Sequence, residues 1–493
     1  MNAKQSKSNQ SNFFRIAKQS TIYSAGNIVR KFLLFLMVPL YAYNILPEDL
    51  SLLEILDPAE QFLFGLCNLG LVHGFLRFYS VDDDADRKRL VVSTIFWFLC
   101  GLSLVLIALL LFFQQILVDV LLPVHTLAGI CFFLTVLSFG IRFLNTLSAG
   151  YLHTHNKAVQ YSTAMIVGTL LFCLYNFYYI GLKGASIQRV FEARLFLLLP
   201  VLLFGIWSFR NKLQFRMDFS LLKKILVFST PLVLTDASYP ILTYIDRWMI
   251  SVLDSASATG IYGISYRFGM IPGMLLVAPF IKAWRPFMYE NKDRKTRHAV
   301  YHKMITYFSV ISCVLWLGIS VYSREMLVLF TTGAYVDGYI IIPYIALSQL
   351  MYGLGWIVIA SLTVKNKTFF VGFFTFLGAV LNILLNLWWI PLFGFMGAAY
   401  STVAAFAFIF VCYALYSYTQ EPIRWPILKI LSMVGVTFAG YLLILNIDFE
   451  SIWVTIIIKG VALLPVLFVI GKIGGINLLS MNITDLFKPS GTN

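Results

Sequence analysis

Leu90-Val91-Val92-Ser93-Thr94-Ile95-Phe96-Trp97-Phe98-Leu99-Cys100-Gly101-Leu102-Ser103-Leu104-Val105-Leu106-Ile107-Ala108-Leu109-Leu110-Leu111-Phe112-Phe113 runs for 24 residues without Asp, Glu, Lys or Arg. At 1.5 Å per helical residue it reaches about 36 Å, enough to cross the ~30 Å hydrocarbon core of a bilayer. Comparable segments stand on both sides of it. They lie at about 16–46, 51–79, 90–118, 124–150, 158–181, 187–210, 221–252, 258–283, 297–322, 339–363, 368–390, 395–419, 429–447 and 452–471. The fold class that follows is an all-α integral membrane protein of about 14 transmembrane helices, twelve or thirteen being the alternatives. Composition agrees: 59% of residues are hydrophobic and 12% charged, against about 25% charged in soluble domains. That leaves too little polar surface to cover a water-soluble body.

The breaks between segments alternate in charge. One set holds 25 of the 37 Lys and Arg. It comprises the N-terminal tail, Arg87-Lys88-Arg89, Lys157, the stretches Arg210 to Lys224, Arg285 to Lys303, Lys365 to Lys367 and Arg424 to Lys429, and the C-terminal tail. The other set, near 47–50, 119–123, 182–186, 253–257, 323–338, 391–394 and 448–451, holds only Lys183 and Arg324. The positive-inside rule places the basic set and both termini in the cytoplasm, with an even number of spans. Basic loops beside anionic headgroups account for most of the +14 net charge without nucleic acid.

Offsets repeat along the chain. Ser20-Thr21 and Ser229-Thr230 open spans 1 and 7, 209 residues apart, and Ser51 and Gly260 stand at the same offset. Arg77 and Arg285, closing spans 2 and 8, are 208 apart. The division predicted is a disordered tail (1–15), two six-helix bundles (16–210 and 211–419) and two appended spans with a cytoplasmic tail (420–493). Two such halves commonly enclose a substrate path.

Ten bases fall inside the spans, Arg30, Lys31, Arg77, Arg142, Arg189, Arg194, Arg247, Arg267, Lys282 and Lys459. The acids there are Glu54, Asp57, Glu60, Glu192, Asp236 and Asp246. Arg30, Lys31, Arg142, Arg267 and Asp236 lie too deep to snorkel. Five charges facing lipid would cost on the order of 15 kcal/mol, so they are expected to face water or each other. Ser20, Ser24, Asn27 and Lys31 form one helical stripe. Glu54, Asp57, Gln61 and Asn68 form a second, and Ser229, Asp236, Thr243 and Asp246 a third. Three wet stripes predict an aqueous cavity. Internal pairing, such as Arg30 with Asp57 or Arg247 with Asp236, is the alternative for single residues. Bases outnumber acids by four, which suits a cargo bearing phosphate, an anion that Arg binds through a fork of donors. The substrate-binding candidates are Asn27, Arg30, Lys31, Arg142, Arg247 and Arg267. Glu54, Asp57 and Asp236 are candidates for coupling to H+ or Na+.

Other signals are weaker. His298 and His302 lie one helical turn apart within a Lys/Arg run and have no third ligand, so a solvated helix explains them better than a metal site. His153 and His155 read the same way. The acidic run Asp82-Asp83-Asp84-Ala85-Asp86 reads as a solvated loop, and Gly269 to Gly273 as close helix packing with a kink at Pro272. The six cysteines stand apart in apolar stretches, as small core residues. A cleavable signal peptide is not expected from the polar, basic first ten residues. No phosphate-binding loop, HExxH or GxSxG motif is present. No catalytic residue, metal or organic cofactor is predicted.

Several stretches resemble the polysaccharide-transport family of oligosaccharide (Wzx-like) flippases, within the multidrug/oligosaccharidyl-lipid/polysaccharide exporter superfamily. They are Ser20-Thr21-Ile22-Tyr23 through Pro39-Leu40-Tyr41, Leu46-Pro47-Glu48-Asp49, Asp246-Arg247, Gly260-Ile261-Tyr262, Ala283-Trp284-Arg285-Pro286, and Ile390-Pro391-Leu392-Phe393-Gly394-Phe395-Met396-Gly397-Ala398-Ala399. The likeness spans about 15–420. Two features depart from it: Leu50-Ser51 where the family often has Gly, and an acidic span 2 containing Pro58. The resemblance implies two six-helix bundles around a central cavity in the bacterial cytoplasmic membrane. It also implies a cargo, an undecaprenyl-diphosphate-linked O-antigen, capsule or exopolysaccharide unit moved to the outer leaflet, with membrane lipids and a glycan polymerase or glycosyltransferases as partners. The rival readings are an organic-cation antiporter of the same superfamily and a membrane glycan polymerase or ligase. Surplus positive charge counts against the first. The shortness of the longest outer loop, about 323–338, counts against the second.

Overall fold

The computed structural model describes residues 26–81, 84–122, 125–154, 158–290, 294–365, 367–422 and 425–475. Among the described residues there is no strand. Among them, eleven helices are long and apolar enough to cross a membrane. A bent pair, Pro47–Cys67 with Leu71–Tyr79, makes a twelfth span. Two predicted spans are not in that count. The first, 16–46, begins on residues outside those described; the other, 221–252, corresponds to one continuous helix of 35 residues whose side chains are described only in part. The protein is a multi-pass membrane protein.

The chain divides into two compact units, Met1–Tyr244 and Ile245–Asn493. Unit 1 begins with α1 (26–35) and α2 (Met37–Asn44). Then follow α3 (Pro47–Cys67), α4 (Leu71–Val81), α5 (Ala85–Phe112), α6 (Gln114–Leu121), α7 (Ala128–Thr154), α8 (Ala158–Asn176) and α9 (Gln188–Phe209). The long helix α10 (Phe219–Leu253) runs out of it. The unit 1 core is aromatic and aliphatic. Phe75 and Tyr79 of α4 pack with Ile95 and Leu99 of α5, Phe139 and Phe143 of α7, and Phe209.

Local chemistry sets several helix boundaries. Pro47 opens α3 at a first-turn position where its missing N–H costs nothing. Asp84 caps α5 by accepting from the Asp86 amide at 3.1 Å. The bend of 44° between α3 and α4 has a backbone cause: Leu69 and Gly70 both take positive φ, 51° and 63°. The left-handed conformation costs a non-glycine residue roughly 1–2 kcal/mol, so the surroundings must hold Leu69 there. Gly70 is also needed for contact, because a Cβ on it would lie 2.5 Å from the Ser229 carbonyl oxygen of α10.

Unit 2 continues with α11 (Ala256–Gly269), a π-helical segment (Gly273–Val277), α12 (Ala278–Glu290), α13 (Arg294–Val321) and α14 (Ser323–Phe330). A 3-10 segment (Gly333–Ile341) leads into α15 (Ile342–Val358), α16 (Ala360–Val364), α17 (Thr368–Phe393) and α18 (Phe395–Gln420). The last pair is α19 (Ile427–Leu445) and α20 (Ile452–Gly474). The stretch 323–338, expected as an outer loop, is therefore largely helical. One core joins Tyr262 and Tyr266 of α11 to Ile341, Ile345, Ile390 and Ala398. A second joins Val310, Leu317 and Val321 of α13 to Met433, Ile444, Leu463 and Ile470 of the last two helices.

The repeat read from three offsets is visible in the element boundaries. α2 ends at Asn44 and α10 at Leu253; α3 starts at Pro47 and α11 at Ala256. α5 ends at Phe112 and α13 at Val321; α6 spans Gln114–Leu121 and α14 spans Ser323–Phe330. Each pair is offset by 209 residues. Each unit also interrupts its second span, unit 1 at the Leu69-Gly70 bend and unit 2 at the π-helical turn.

Candidate substrate site

Four charged side chains of unit 1 converge on one another. Asp57 and Glu60 stand three residues apart in α3 and so share a face. Arg142 lies near the middle of α7, and Arg194 in the second turn of α9. Arg194 Nη2 pairs with Asp57 Oδ1, and its Nη1 lies 3.8 Å from Glu60 Oε2. Arg142 Nη1 donates to Glu60 Oε1 at 3.4 Å. Both guanidinium groups also rest on rings, Arg142 4.6 Å over Phe64 and Arg194 4.5 Å over Phe191. Such contacts favour Arg over Lys at both positions.

Burial divides this network. The side chains of Glu60 and Arg194 are only 7% and 9% exposed, while Asp57 and Arg142 keep 37% and 33%. The inner pair is fixed and the outer pair is open. Arg30, half-buried in α1, lies within electrostatic reach of Arg142 and Tyr161. Of its neighbours on that helix, Lys31 is exposed and Asn27 partly so. Glu54, one turn before Asp57, is buried. Arg142 and Arg194 thus share Glu60, Arg194 also holds Asp57, and Arg30 lies near Arg142.

The predicted residues of unit 2 sit differently. Asp246 and Arg247 are buried at the end of α10. Asp246 Oδ2 accepts from the Tyr262 hydroxyl at 2.5 Å and from the Thr402 hydroxyl at 3.5 Å; Oδ1 accepts from the Arg247 amide at 3.0 Å. The Arg247 guanidinium lies 3.6 Å from Asp246 Oδ1 and 4.3 Å over the Tyr266 ring. Arg267 follows Tyr266 and is half-buried. Asp236 belongs to α10, but its side chain lies outside the described residues.

The structure therefore brings Arg30 and Arg142 together in unit 1 and leaves Arg247 and Arg267 in unit 2. The partners differ from the pairs considered on sequence: Asp57 meets Arg194 instead of Arg30, and Arg247 meets Asp246. Glu60 and Arg194 belong to the intramembrane charges but lie outside the binding and coupling candidates that the sequence offers. The Asp57/Glu60 spacing was the signal that pointed to Glu60. Nothing local marked Arg194, because its partners are more than a hundred residues away.

Comparison with known proteins bears on this arrangement. The model of a family described as polysaccharide biosynthesis proteins matches residues 64–338. This chain belongs to that family. No curated protein sequence matches it. Among solved structures, a lipid II flippase, MurJ, in an inward closed conformation superposes with a TM-score of 0.74 at 17% identity. The match covers 92% of this chain and 99% of that one. An inward-facing multidrug resistance MATE transporter of the MOP superfamily gives 0.66 at 14% identity, over 79% of this chain and 94% of that one. The MATE multidrug transporter DinF-BH gives 0.59 at 15% identity, over 83% of this chain and 96% of that one. At these identities the likeness establishes the fold. This member of the polysaccharide biosynthesis family has the helical fold of the MurJ and MATE structures.

Proposed function

We propose that the protein flips lipid-linked oligosaccharide, on an undecaprenyl diphosphate carrier, from the inner to the outer leaflet of the bacterial cytoplasmic membrane, with both termini cytoplasmic. The observation that carries this reading is the partly open network of Arg142, Glu60, Arg194 and Asp57, with Arg30 beside it. A guanidinium at a helix centre costs roughly 2.5–3.5 kcal/mol against lipid. Retaining one there with a third of its side chain accessible favours contact with water or an anion. A diphosphate would take up the free donors of Arg142 and Arg30, while Glu60 and Arg194 hold Arg142 in place. Asn27 and Lys31 extend the polar stripe toward the same cargo, and Arg247 and Arg267 supply the cations of unit 2.

An anion moving outward is helped by the membrane potential, by about 2.3 kcal/mol per charge per 100 mV. Inward flow of H+ or Na+ would add to this. Asp57, open at the edge of the network, Glu54 and Asp236 are the carboxylates assigned to it. The products would pass to a glycan polymerase or to glycosyltransferases.

The test is export of surface glycan in cells carrying Arg30→Ala or Arg142→Ala at equal membrane abundance. Each is expected to lower export by about tenfold or more, the worth of one charge-assisted contact. Parental export in both would remove the network from the mechanism. Efflux of organic cations that survives both substitutions would favour the antiporter reading.

A further inference from the structure

A second polar site lies within unit 2, where the last two helices meet α14. Lys459, the eighth residue of α20, reaches across to it. Its Nζ donates to Glu325 Oε1 at 2.5 Å and to the Val321 carbonyl at 3.2 Å. Beside it, Arg324 Nη1 donates to Asp448 Oδ2 at 2.7 Å, tying α14 to the loop between α19 and α20. That loop is itself fixed, because the Phe449 amide donates to the Thr455 hydroxyl at 2.9 Å. Arg324, Glu325, Asp448, Phe449, Glu450 and Thr455 line a cavity of about 210 Å³.

One atom here is unsatisfied. The Glu325 side chain is only 4% exposed, and its Oε2 has no hydrogen-bond partner among the described residues. A buried carboxylate oxygen without a donor is costly to keep. That oxygen is also closed to solvent, so the groups a ligand in the cavity can reach are the exposed Arg324, Asp448, Phe449 and Glu450.

The lining restricts what the cavity can hold. An inorganic anion is excluded by three carboxylates. A divalent cation is disfavoured by Arg324 and Lys459, and among the described residues no three acidic, His or Cys side chains are placed to hold a metal ion. Pockets for drug-sized ligands run about 300–1,000 Å³, so this one takes a single ring and not a chain. Carboxylate acceptors, a guanidinium donor and the half-exposed Phe449 ring suit hydroxyls on a flat, partly apolar body.

We infer that this cavity binds one neutral sugar ring, its hydroxyls on Asp448, Glu450 and Arg324 and its C–H face on Phe449. The inference rests on the glycan reading above. The site stands at the charge-poor end of the spans, where the loops carry Arg324 as their one base in this unit. It would hold a sugar of the glycan on the side of release.

The experiment uses the full chain in nanodiscs, with methyl glycosides of glucose, galactose and N-acetylglucosamine as probes, read by saturation-transfer NMR. Saturable transfer is expected to at least one glycoside. Arg324→Gln and Glu450→Gln should each weaken it about tenfold, while Asp119→Asn, on the counterpart helix α6, leaves it unchanged. Both weakened positions are exposed, and thermal unfolding of each variant checks that the fold is kept. No saturable transfer to any probe, or equal transfer in all variants, overturns the inference. If glycosides fail to bind but Arg142→Ala still stops export, only this inference falls. If export ignores Arg30 and Arg142, the flippase reading falls whatever the glycosides do.

Discussion

The two units share a ground plan and differ in where they spend charge. At the offset of 209, Asp57 and Glu60 of unit 1 correspond to Tyr266 and Gly269 of unit 2. The helices that follow α14, α15 and α18, carry no Asp, Glu, Lys or Arg at all, whereas α7 and α9 carry Arg142 and Arg194. The reverse also holds: Asp246, Arg247 and Tyr262 of unit 2 correspond to Met37, Val38 and Leu53. Equivalent backbones thus form with and without ionic groups. The charges are not what folds the bundle, and each set is a local addition. In unit 2 the addition is buried and saturated by hydroxyl and amide donors. In unit 1 it is half open.

That contrast is broken most directly by removing the unit 1 network whole. Asp57→Asn, Glu60→Gln, Arg142→Met and Arg194→Met in one chain should still insert and fold, since unit 2 shows the plan tolerates neutral residues there. Glycan export should fall at least about a hundredfold, the worth of two charge-assisted contacts. Export close to the parental rate would make the network structural.

A second difference lies in what covers the equivalent helices α5 and α13. In their most apolar windows, 17% of α5 is buried but 61% of α13. The difference is α19 and α20, which pack on α13 and are secured by the Lys459–Glu325 pair, where unit 1 has Ile116 in place of Glu325. Lys459→Met alone leaves a buried carboxylate uncompensated and should cost about 3–5 kcal/mol, read as a lowered unfolding midpoint in detergent. Adding Glu325→Ile, the unit 1 residue, should recover most of the loss. If the single and double variants unfold together, the pair does not secure the hairpin.

The smallest effect concerns the loop after α6. His125 Nε2 lies 2.8 Å from the Ser51 hydroxyl. Burial pushes its pKa below the ordinary value, against the pull of Asp49 and Glu48. The unfolded chain therefore binds a proton at a pH where the native ring stays neutral. Stability from this group is complete above about pH 6.5 and is lost as pH falls below it. Unit 2 has Ala334 at the equivalent place. Unfolding midpoints measured from pH 8 to pH 5 should show a shallow acid-side decline that His125→Gln reduces; an unchanged profile would clear His125 of this role.

Much of the fold was legible because spans are read from composition alone. A run such as 90–113 admits one state in a bilayer, and the repeat surfaced from small landmarks like Ser229 and Arg285. What stayed hidden was pairing. Helical spacing put Asp57 and Glu60 on one face, but only packing decides that α9 brings Arg194 to them. The short helices α6 and α14 are also invisible in the sequence. They follow single-residue turns at Phe113 and Tyr322, and a hydropathy average runs through such turns.

The Lys459–Glu325 pair also bears on biogenesis. α20 carries a cation two turns inside its apolar stretch, so entering lipid alone would cost it roughly 2.5–3.5 kcal/mol. Glu325, made more than a hundred residues earlier, removes that penalty once α14 is in place. The last helix is thus steered by a residue synthesised long before it, and its insertion waits on the completed half of the molecule that it will clasp.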